Sequence, residues 1–360
     1  MSANGFTGTV KYGLWTRPWK FLPWKGCEIP ANHLARGSLA KEKTMGQIRA
    51  HQALNIDPQG ARDTIVEFLH QELVRSGKRG FVLGFSGGVD SSLVAALSVE
   101  VTSDPSWVHC LYMPDFHTDP ALRRRTRELA RRFGFQFLER DITEMARREG
   151  AFGSPILRLL SLSGRANRAL VGIIQRLLWA LLGRTAYELT LEARKDRGQR
   201  GTIFHQAAWQ VEESFNIRHR IRRRILERYS RENELLPLGC ANRSEYFIGW
   251  FVKDGIDDLP IEPILGLYTT QVNRIARDLG VLSDPMRIAP SPDMIKGLND
   301  ELCIGLTYEK LDLVAFAVEH GMEEESLTDC GLSYREIRSI KRLHHLTSWK
   351  RTNPHRFPPI

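Results

Sequence analysis

The sequence predicts an α/β fold in which a parallel sheet is flanked by helices on both faces. Short apolar runs typical of buried strands alternate with stretches whose apolar residues recur at helical spacing. Strands separated by helices form parallel sheets, because the chain must cross back over the sheet between one strand and the next. A turn rich in glycine and serine follows the first strand, which indicates a ligand site at the carboxyl ends of the strands. The predicted strands are residues 80–85, 107–113, 135–142 and 235–239.

The helices between these strands have recognisable ends. Asp57 and Pro58 are typical of a helix start, because an aspartate accepts hydrogen bonds from free amides and a proline in the first turn needs no donor. Apolar residues then share one face up to Gly77, which is a typical helix end. These residues are Ile65, Phe68, Leu69 and Leu73. A second helix is predicted over residues 120–133.

Length and composition indicate a globular protein. The 360 residues, of which 42% are hydrophobic, suffice for one large domain or two modest ones. Five scattered cysteines without a C-x-x-C pair argue against a disulfide framework and favour a reducing compartment. The chain shows neither a signal peptide nor an uncharged apolar segment of about 20 residues, so we expect a cytoplasmic protein.

The net charge of +9 raises the question of nucleic-acid binding. The excess comes mainly from arginines in residues 123–148 and 218–231, where apolar residues recur at helical spacing. Amphipathic helices with solvated arginine faces explain this pattern, so we do not expect a nucleic-acid partner.

The chain divides by composition into several segments. Residues 1–50 form a basic, tryptophan-rich extension, residues 51–325 the main α/β domain, and residues 326–360 a basic C-terminal tail. A leucine- and arginine-rich stretch at about 150–205 breaks the strand–helix alternation and predicts a helical insertion. We expect its apolar faces to contact a second subunit or another part of the protein. Attachment to a membrane surface is the alternative, which the sequence favours less.

The turn after the first strand has the composition of a phosphate site. Gly87 and Gly88 let backbone amides approach a ligand closely, and the first amides of the following helix have no partner inside it. Ser86, Ser91 and Ser92 add hydroxyl donors, and Asp90 is placed to hold a magnesium ion that bridges phosphates. The lysine of G-x-x-x-x-G-K-[ST] is absent, so this is a different kind of phosphate loop.

This turn resembles the SGGxDS signature of the PP-loop ATP pyrophosphatases, whose fold is the adenine-nucleotide alpha-hydrolase type. Downstream stretches resemble NAD synthetase in particular, and several collinear matches are more specific than one. The sequence LGCANRSE at 238–245 is similar to G-T-x-N-[KR]-S-E, and LYTTQV at 267–272 is similar to L-Y-K-T-Q-V. ESFNIR at 213–218 and PSPDM at 290–294 are similar to E-N-x-Q-A-R and P-S-A-D-L.

The resemblance implies an ATP- and Mg²⁺-dependent ligase that adenylates the nicotinate carboxylate of deamido-NAD. Ammonia then displaces AMP to give NAD. It also implies a homodimer. The extension is too short for an amidase domain, so ammonia would be free or come from a separate glutaminase. Two alternatives stay open: a divergent PP-loop ligase that adenylates another carboxylate, and a catalytically silent nucleotide-binding regulator.

The resemblance also implies roles for individual residues. Asp90 and Glu245 would be the catalytic magnesium ligands, and Asp300 would lie beside a loop that closes over the site. The ATP-binding residues would be Ser86, Gly87, Gly88, Asp90, Ser91, Ser92, Cys240, Thr269 and Ser291. The substrate-binding residues would be Arg218, Asp257 and Asp258.

Three positions depart from the family pattern. Thr269 replaces a lysine that meets an ATP phosphate, Cys240 replaces a threonine, and Ile256 replaces the aspartate of a G-D-G loop. We expect Lys296, a third catalytic residue, to supply the cation that is missing at Thr269.

Overall fold

The computed structural model describes residues 54–154, 163–193, 203–281 and 297–360. Within these residues the sheet has four strands in the order β3-β2-β1-β4, all parallel. The strands are β1 (Phe81–Gly84), β2 (Val108–Tyr112), β3 (Gln136–Glu139) and β4 (Leu236–Leu238). The predicted parallel sheet is therefore confirmed, with each strand inside its predicted range.

Helices connect and cover the strands. The first group is α1 (Pro58–Ser76), α2 (Val89–Thr102), α3 (Pro120–Phe133) and α4 (Thr143–Arg148). The second is α5 (Gly164–Leu182), α6 (Ala186–Ala193) and α7 (Ile203–Glu232). The third is α8 (Arg243–Ile248), α9 (Thr269–Asp278), α10 (Asp300–Ile304), α11 (Tyr308–Glu319), α12 (Glu324–Asp329) and α13 (Tyr334–Leu346).

Alternation along β1 divides its side chains between two cores. Phe81 and Leu83 pack with residues of α1, α2 and α9, whereas Val82 packs on the opposite face with α4 and α7. Successive residues of a strand point to opposite faces, so a strand buried on both sides is apolar throughout. The helices predicted on both faces are therefore present.

A third core lies among α8, α11 and α13. Leu343 and Ile340 of α13 are fully buried there with Leu311 of α11. Composition predicts a basic tail over residues 326–360, but the apolar residues of this segment recur at helical spacing and bury one face of α13. Its basic residues occupy the other face, which explains why composition alone indicates a tail.

Helix α5 exposes a stripe of aliphatic side chains. Leu170, Ile173, Leu177 and Leu181 are 46%, 54%, 54% and 79% exposed, at the spacing of one helix face. Among the described helices none alone has the length and hydropathy to cross a membrane, although α5 and residues 186–192 meet both criteria as a pair bent by 74°.

Candidate active site

The strand order places a crevice between β1 and β4. Strand β1 pairs with β2 on one side and with β4 on the other. The chain passes from β1 to β2 on one side, and from β3 it crosses back to β4 on the other side of β1. In open parallel sheets, ligands bind in the crevice that such a reversal leaves at the carboxyl ends of the strands. The Ser-Gly-Gly turn follows β1 and the Gly239–Asn242 segment follows β4, so both predicted motifs meet there.

The turn at Gly87 can be formed only by glycine. Its φ is +77°, and a Cβ at this position would lie 2.4 Å from Oγ1 of Thr126. Thr126 in turn donates a hydrogen bond to the carbonyl of Ser86 at 3.2 Å. Ser86 Oγ accepts from the amide of Gly88 at 3.1 Å and lies 3.2 Å from Oγ of Ser91. The turn is thus held from behind by α3, with Ser86, Gly88 and Ser91 facing the cavity.

Asn242 joins the two predicted magnesium ligands. Its Nδ2 donates to Oδ1 of Asp90 at 2.9 Å, and its backbone amide donates to Oε2 of Glu245 at 3.2 Å. Its Oδ1 accepts from the amide of Glu245 at 3.0 Å, which completes a capping box at the start of α8. One residue therefore fixes carboxylates that come from two different strand ends.

The carboxyl groups of this site resist ionisation. Burial raises the pKa of Asp90, although the hydrogen bond from Asn242 opposes that change. Burial also raises the pKa of Glu245 well above its usual value, and the charges of Asp90 and Asp300 add to the effect. Asp300 has a pKa raised to about 7, chiefly by burial, although its Oδ1 accepts from Nε1 of Trp250 at 3.1 Å. Closely placed buried acids with raised pKa values favour a cation between them.

These side chains line one cavity of about 540 Å³. The sheet side contributes the serine–glycine turn and Cys240, and α7 contributes Phe215, His219 and Arg222. The opposite wall comes from the insertion and the third core, with Ile174, Tyr187, Trp250 and Lys350. A cavity with an apolar wall and a few converging charged groups is typical of a small-molecule site.

The donor set suits a magnesium ion that is completed by a ligand. Asp90 and Glu245 offer hard carboxylate oxygens, and Mg²⁺ in nucleotide sites usually takes one or two carboxylates plus phosphate and water oxygens. Among the residues the structure describes, no group of three or more His, Cys, Asp or Glu side chains is arranged to hold a metal ion. The two carboxylates therefore fit a metal that arrives with phosphates better than a metal held by protein alone.

The predicted site residues divide into three sets. Those on the cavity wall are Ser86, Gly88, Asp90, Ser91, Cys240, Glu245 and Asp257. Those that the structure places behind the wall are Gly87, Ser92, Thr269, Arg218 and Asp258. Ser291 and Lys296 lie outside the described residues. Ser92 is buried, and its hydroxyl has no hydrogen-bond partner among the described residues.

Arg218 and Asp258 hold the framework instead of facing the cavity. Arg218 is fully buried, and its Nη1 lies 3.3 Å from Oδ2 of Asp115. Asp258 accepts from the amide of Asp254 at 2.7 Å and from Nε2 of His355 at 2.8 Å. Burial of an ionic group requires such partners, so these contacts contribute to the framework around the cavity.

Thr269 lies at the start of α9, inside the network around Asn242. It is 4% exposed, and its Oγ1 donates to Oδ1 of Asn242 at 3.1 Å. The lysine of the family pattern, if it stood here, would have to extend from this buried position. Cys240 does reach the cavity, and burial raises the pKa of its thiol well above the usual value. Cys240 is therefore a neutral, weak donor there.

Sequence reasoning missed several residues on the wall. His219 lies next to Arg218 in a helix whose sequence indicates an ordinary arginine-rich surface, and Tyr187 belongs to the insertion. Trp250 forms an edge-to-face pair with Tyr187 at 4.8 Å between ring centroids, which brings the insertion against the site. Lys350 comes from the segment expected as a tail.

Comparisons with known proteins agree with these motifs. The family model described as NAD synthase matches residues 62–153 and 196–354, which leaves out 154–195 of the insertion. The chain is 30% identical over 311 residues to the NH(3)-dependent NAD(+) synthetase of Aeropyrum pernix, covering 86% of this chain and 92% of the relative. It is 30% identical over 263 residues to the protein of that name from Coprothermobacter proteolyticus, covering 73% and 86%.

Solved structures show the same fold. An NMN synthetase from Francisella tularensis superimposes with a TM-score of 0.59 at 19% identity, covering 84% of this chain and 99% of the other. An NH3-dependent NAD synthetase from Campylobacter jejuni gives 0.54 at 20% identity with the same coverage. With the family match spanning most of the sequence, the chain belongs to the NAD synthase family.

Proposed function

We propose that this protein is an ammonia-dependent NAD synthetase that uses ATP and Mg²⁺. The nicotinate carboxylate of deamido-NAD attacks the α-phosphorus of ATP and pyrophosphate leaves. Ammonia then attacks the acyl carbon of the resulting mixed anhydride, and AMP leaves. The observation that carries the proposal is the meeting of Asp90 and Glu245 at the phosphate-type turn, in one cavity of a chain of this family.

Activation by ATP answers a chemical need. A carboxylate is a poor acyl donor to ammonia, because the oxygen that must leave is a strongly basic oxide. The anhydride with AMP replaces it with a phosphate leaving group. Splitting one difficult step into two easier ones in this way is a common use of an activated intermediate.

The turn after β1 would bind the phosphates. The N-cap residue of α2 is Gly88, which has no side chain that could cap the first amides of the helix. Ser86 and Ser91 present hydroxyl groups beside these amides. Amides at a helix start and hydroxyl donors stabilise anionic oxygens without reorganising during the reaction. Gly87 would act by allowing the turn, and Ser92 by supporting it from behind.

Asp90 and Glu245 would hold the magnesium ion. When bound, Mg²⁺ supplies positive charge that offsets the charge accumulating on the phosphates. The raised pKa values of both carboxyl groups are consistent with a site built for a cation. Asn242 would keep both groups in position through its two hydrogen bonds.

The remaining roles follow from position. Cys240 would lie beside the ATP phosphates, and Asp257 beside the acyl substrate. Lys296 and Ser291 remain candidates for the ATP site, since the buried Thr269 presents no cation to the cavity.

We also infer a homodimer in which the aliphatic stripe of α5 contacts a second copy. Contiguous exposed aliphatic side chains on a folded domain usually mark an interaction surface.

The cytoplasm is the proposed location, and ammonia is proposed to be free or supplied by a separate glutaminase.

A panel of carboxylates tests the proposed function. Purified protein with ATP, Mg²⁺ and ammonium is given deamido-NAD, nicotinate mononucleotide or nicotinate, and AMP release is measured. We expect release with deamido-NAD and little with nicotinate. Release with a different carboxylate alone would favour a divergent ligase. Nucleotide binding without release from any of them would favour a silent regulator.

A further inference from the structure

A histidine and an aspartate form a close pair in the cavity, separate from Asp90 and Glu245. Nδ1 of His219 on α7 lies 2.6 Å from Oδ2 of Asp257, in the loop between α8 and α9. Their side chains are 16% and 34% exposed, and both residues line the cavity. Nδ1 is buried and makes no hydrogen bond of good geometry. The carboxylate of Asp257 is its close polar neighbour. This orientation leaves Nε2 as the ring nitrogen for a ligand.

The surrounding residues set this pair in place. Gly255 lies against α7, and a Cβ there would come within 3.0 Å of Cβ of His219. Ile256, where the family pattern has aspartate, packs over β1, because a Cβ at Gly84 would lie 2.5 Å from its Cδ1. Asp257 is the next residue and brings its carboxylate to the cavity instead. The acid of this loop is therefore shifted by one residue and paired with a histidine.

The carboxylate of Asp257 stays charged beside the ring. Burial raises the pKa of Asp257, but the opposing charges of His219 and Arg222 outweigh burial and hold it below its usual value. Its negative charge lies next to Nδ1, which favours the ring orientation that leaves Nε2 toward a ligand.

The second half of the proposed reaction requires a proton acceptor. Ammonium, the main form of ammonia near neutral pH, has no lone pair and cannot attack carbon. Histidine is the side chain that enzymes use most often to take such a proton, and its ring nitrogen must lie within hydrogen-bond reach of the donor.

We propose that His219, oriented by Asp257, takes a proton from ammonium before it attacks the acyl adenylate; this inference rests on the proposed function. One N–H bond breaks and its proton passes to Nε2 of His219. The freed electron pair forms the C–N bond, and the C–O bond to AMP breaks with its electrons on the phosphate. A second proton leaves the nitrogen for water as the amide forms, and His219 returns its proton to solvent.

The test separates the two halves of the reaction. Exchange of labelled pyrophosphate into ATP, with deamido-NAD and without ammonia, measures adenylation alone. NAD formation from ammonium measures both halves. Hydroxylamine, which is largely neutral near pH 7, replaces ammonium as a nucleophile that needs no prior deprotonation. The variants are His219→Asn and Asp257→Asn, with Asp254→Asn as a control in the same loop, since Asp254 does not line the cavity.

We expect His219→Asn to lower the ammonium rate by about 100-fold or more, with exchange and the hydroxylamine rate near those of the parent. Asp257→Asn should lower the ammonium rate relative to the hydroxylamine rate by a smaller factor, and Asp254→Asn should change neither rate. An equal fall of the two rates in His219→Asn, a parallel fall in its exchange, or an unchanged ammonium rate would overturn the proposal. If His219→Asn fails to fold, the ratio of the ammonium rate to the hydroxylamine rate in Asp257→Asn decides. Absence of exchange in the parent would refute the proposed function itself.

Discussion

The side-chain amide of Asn242 donates a 2.9 Å hydrogen bond to Oδ1 of Asp90, across 152 positions of sequence. The same residue caps α8, where Glu245 is the third residue of the helix. The β4 end and the β1 end are thereby tied together at the point where the two carboxylates face one cavity. Helix capping and the placement of the two proposed metal ligands thus depend on one side chain.

Replacing Asn242 tests this dual role. Asn242→Ala removes the cap, which should cost about 1 kcal/mol of unfolding free energy, and it leaves Asp90 without its amide donor. We expect Mg²⁺ to bind more weakly, so that half-maximal AMP release needs more Mg²⁺. We also expect a loss of turnover beyond what the stability change explains. Thermal unfolding and a magnesium titration of AMP release measure the two effects. Ser333→Ala, which removes the cap of α13, is the matched control and should lower stability without changing turnover.

The two proposed magnesium ligands give a second prediction. Asp90→Asn and Glu245→Gln keep the shape of each side chain but bind Mg²⁺ far less well than a carboxylate. We expect each to lower turnover by about 100-fold or more while the far-ultraviolet circular dichroism stays that of the parent. A folded variant with parental turnover would show that its residue does not hold the metal.

The raised pKa of Asp300 predicts that the stability of the protein depends on pH when metal and nucleotide are absent. Its pKa rises from 3.8 to about 7 in the folded protein, so the stability it contributes is full below about pH 4 and is lost as the pH rises through about 7. This shift corresponds to at most about 4 kcal/mol. Asp300→Asn keeps an oxygen to accept from Trp250 and cannot ionise.

We therefore expect Asp300→Asn to match the parent in melting temperature near pH 4 and to exceed it near pH 8. Melting curves across this range check the sign. A variant that melts below the parent near pH 8 would mean that the charged form of Asp300 is the one the fold stabilises.

The fold was predictable where one physical signal dominated. Apolar runs such as 81–84 are buried on both sides of the sheet, so their composition alone marks a strand. The glycine-rich turn after β1 was predictable from its composition, and the structure adds that the positive φ of Gly87 and its contact with Thr126 admit glycine only. Helix α13 was missed as a packed element because its basic face dominated the composition.

The site was predictable only in part, since tertiary contacts decide which way a side chain faces. Asp257 and Asp258 are neighbours of the same type, yet one lines the cavity and the other is held by His355. Arg218 and His219 differ in the same way. A single sequence carries no signal that separates such neighbours, because the difference arises from elements far away in the chain.

The stripe on α5 gives a further prediction. Leu177→Asp and Leu181→Asp introduce charge at exposed positions, so the folded monomer should tolerate them. If a second copy covers this face, analytical ultracentrifugation should show a dimer for the parent and a monomer for the variants, because burying an unpaired charge is costly. Ser163→Ala, which removes a helix cap outside the stripe, is the control.

Sedimentation with anionic vesicles at low salt distinguishes the alternative. Binding by the parent that the two aspartate variants lose, with no change in oligomeric state, would assign the stripe to a membrane surface and contradict the dimer interface.

Transfer of labelled nitrogen tests the central claim most directly. The protein is incubated with ATP, Mg²⁺, deamido-NAD and ¹⁵N-ammonium, and the products are resolved by mass spectrometry. The account predicts NAD that carries ¹⁵N in its carboxamide, with AMP and pyrophosphate formed in equal amounts. Failure to form labelled NAD by a folded protein that binds ATP, or formation of ADP and phosphate in place of AMP and pyrophosphate, would contradict it.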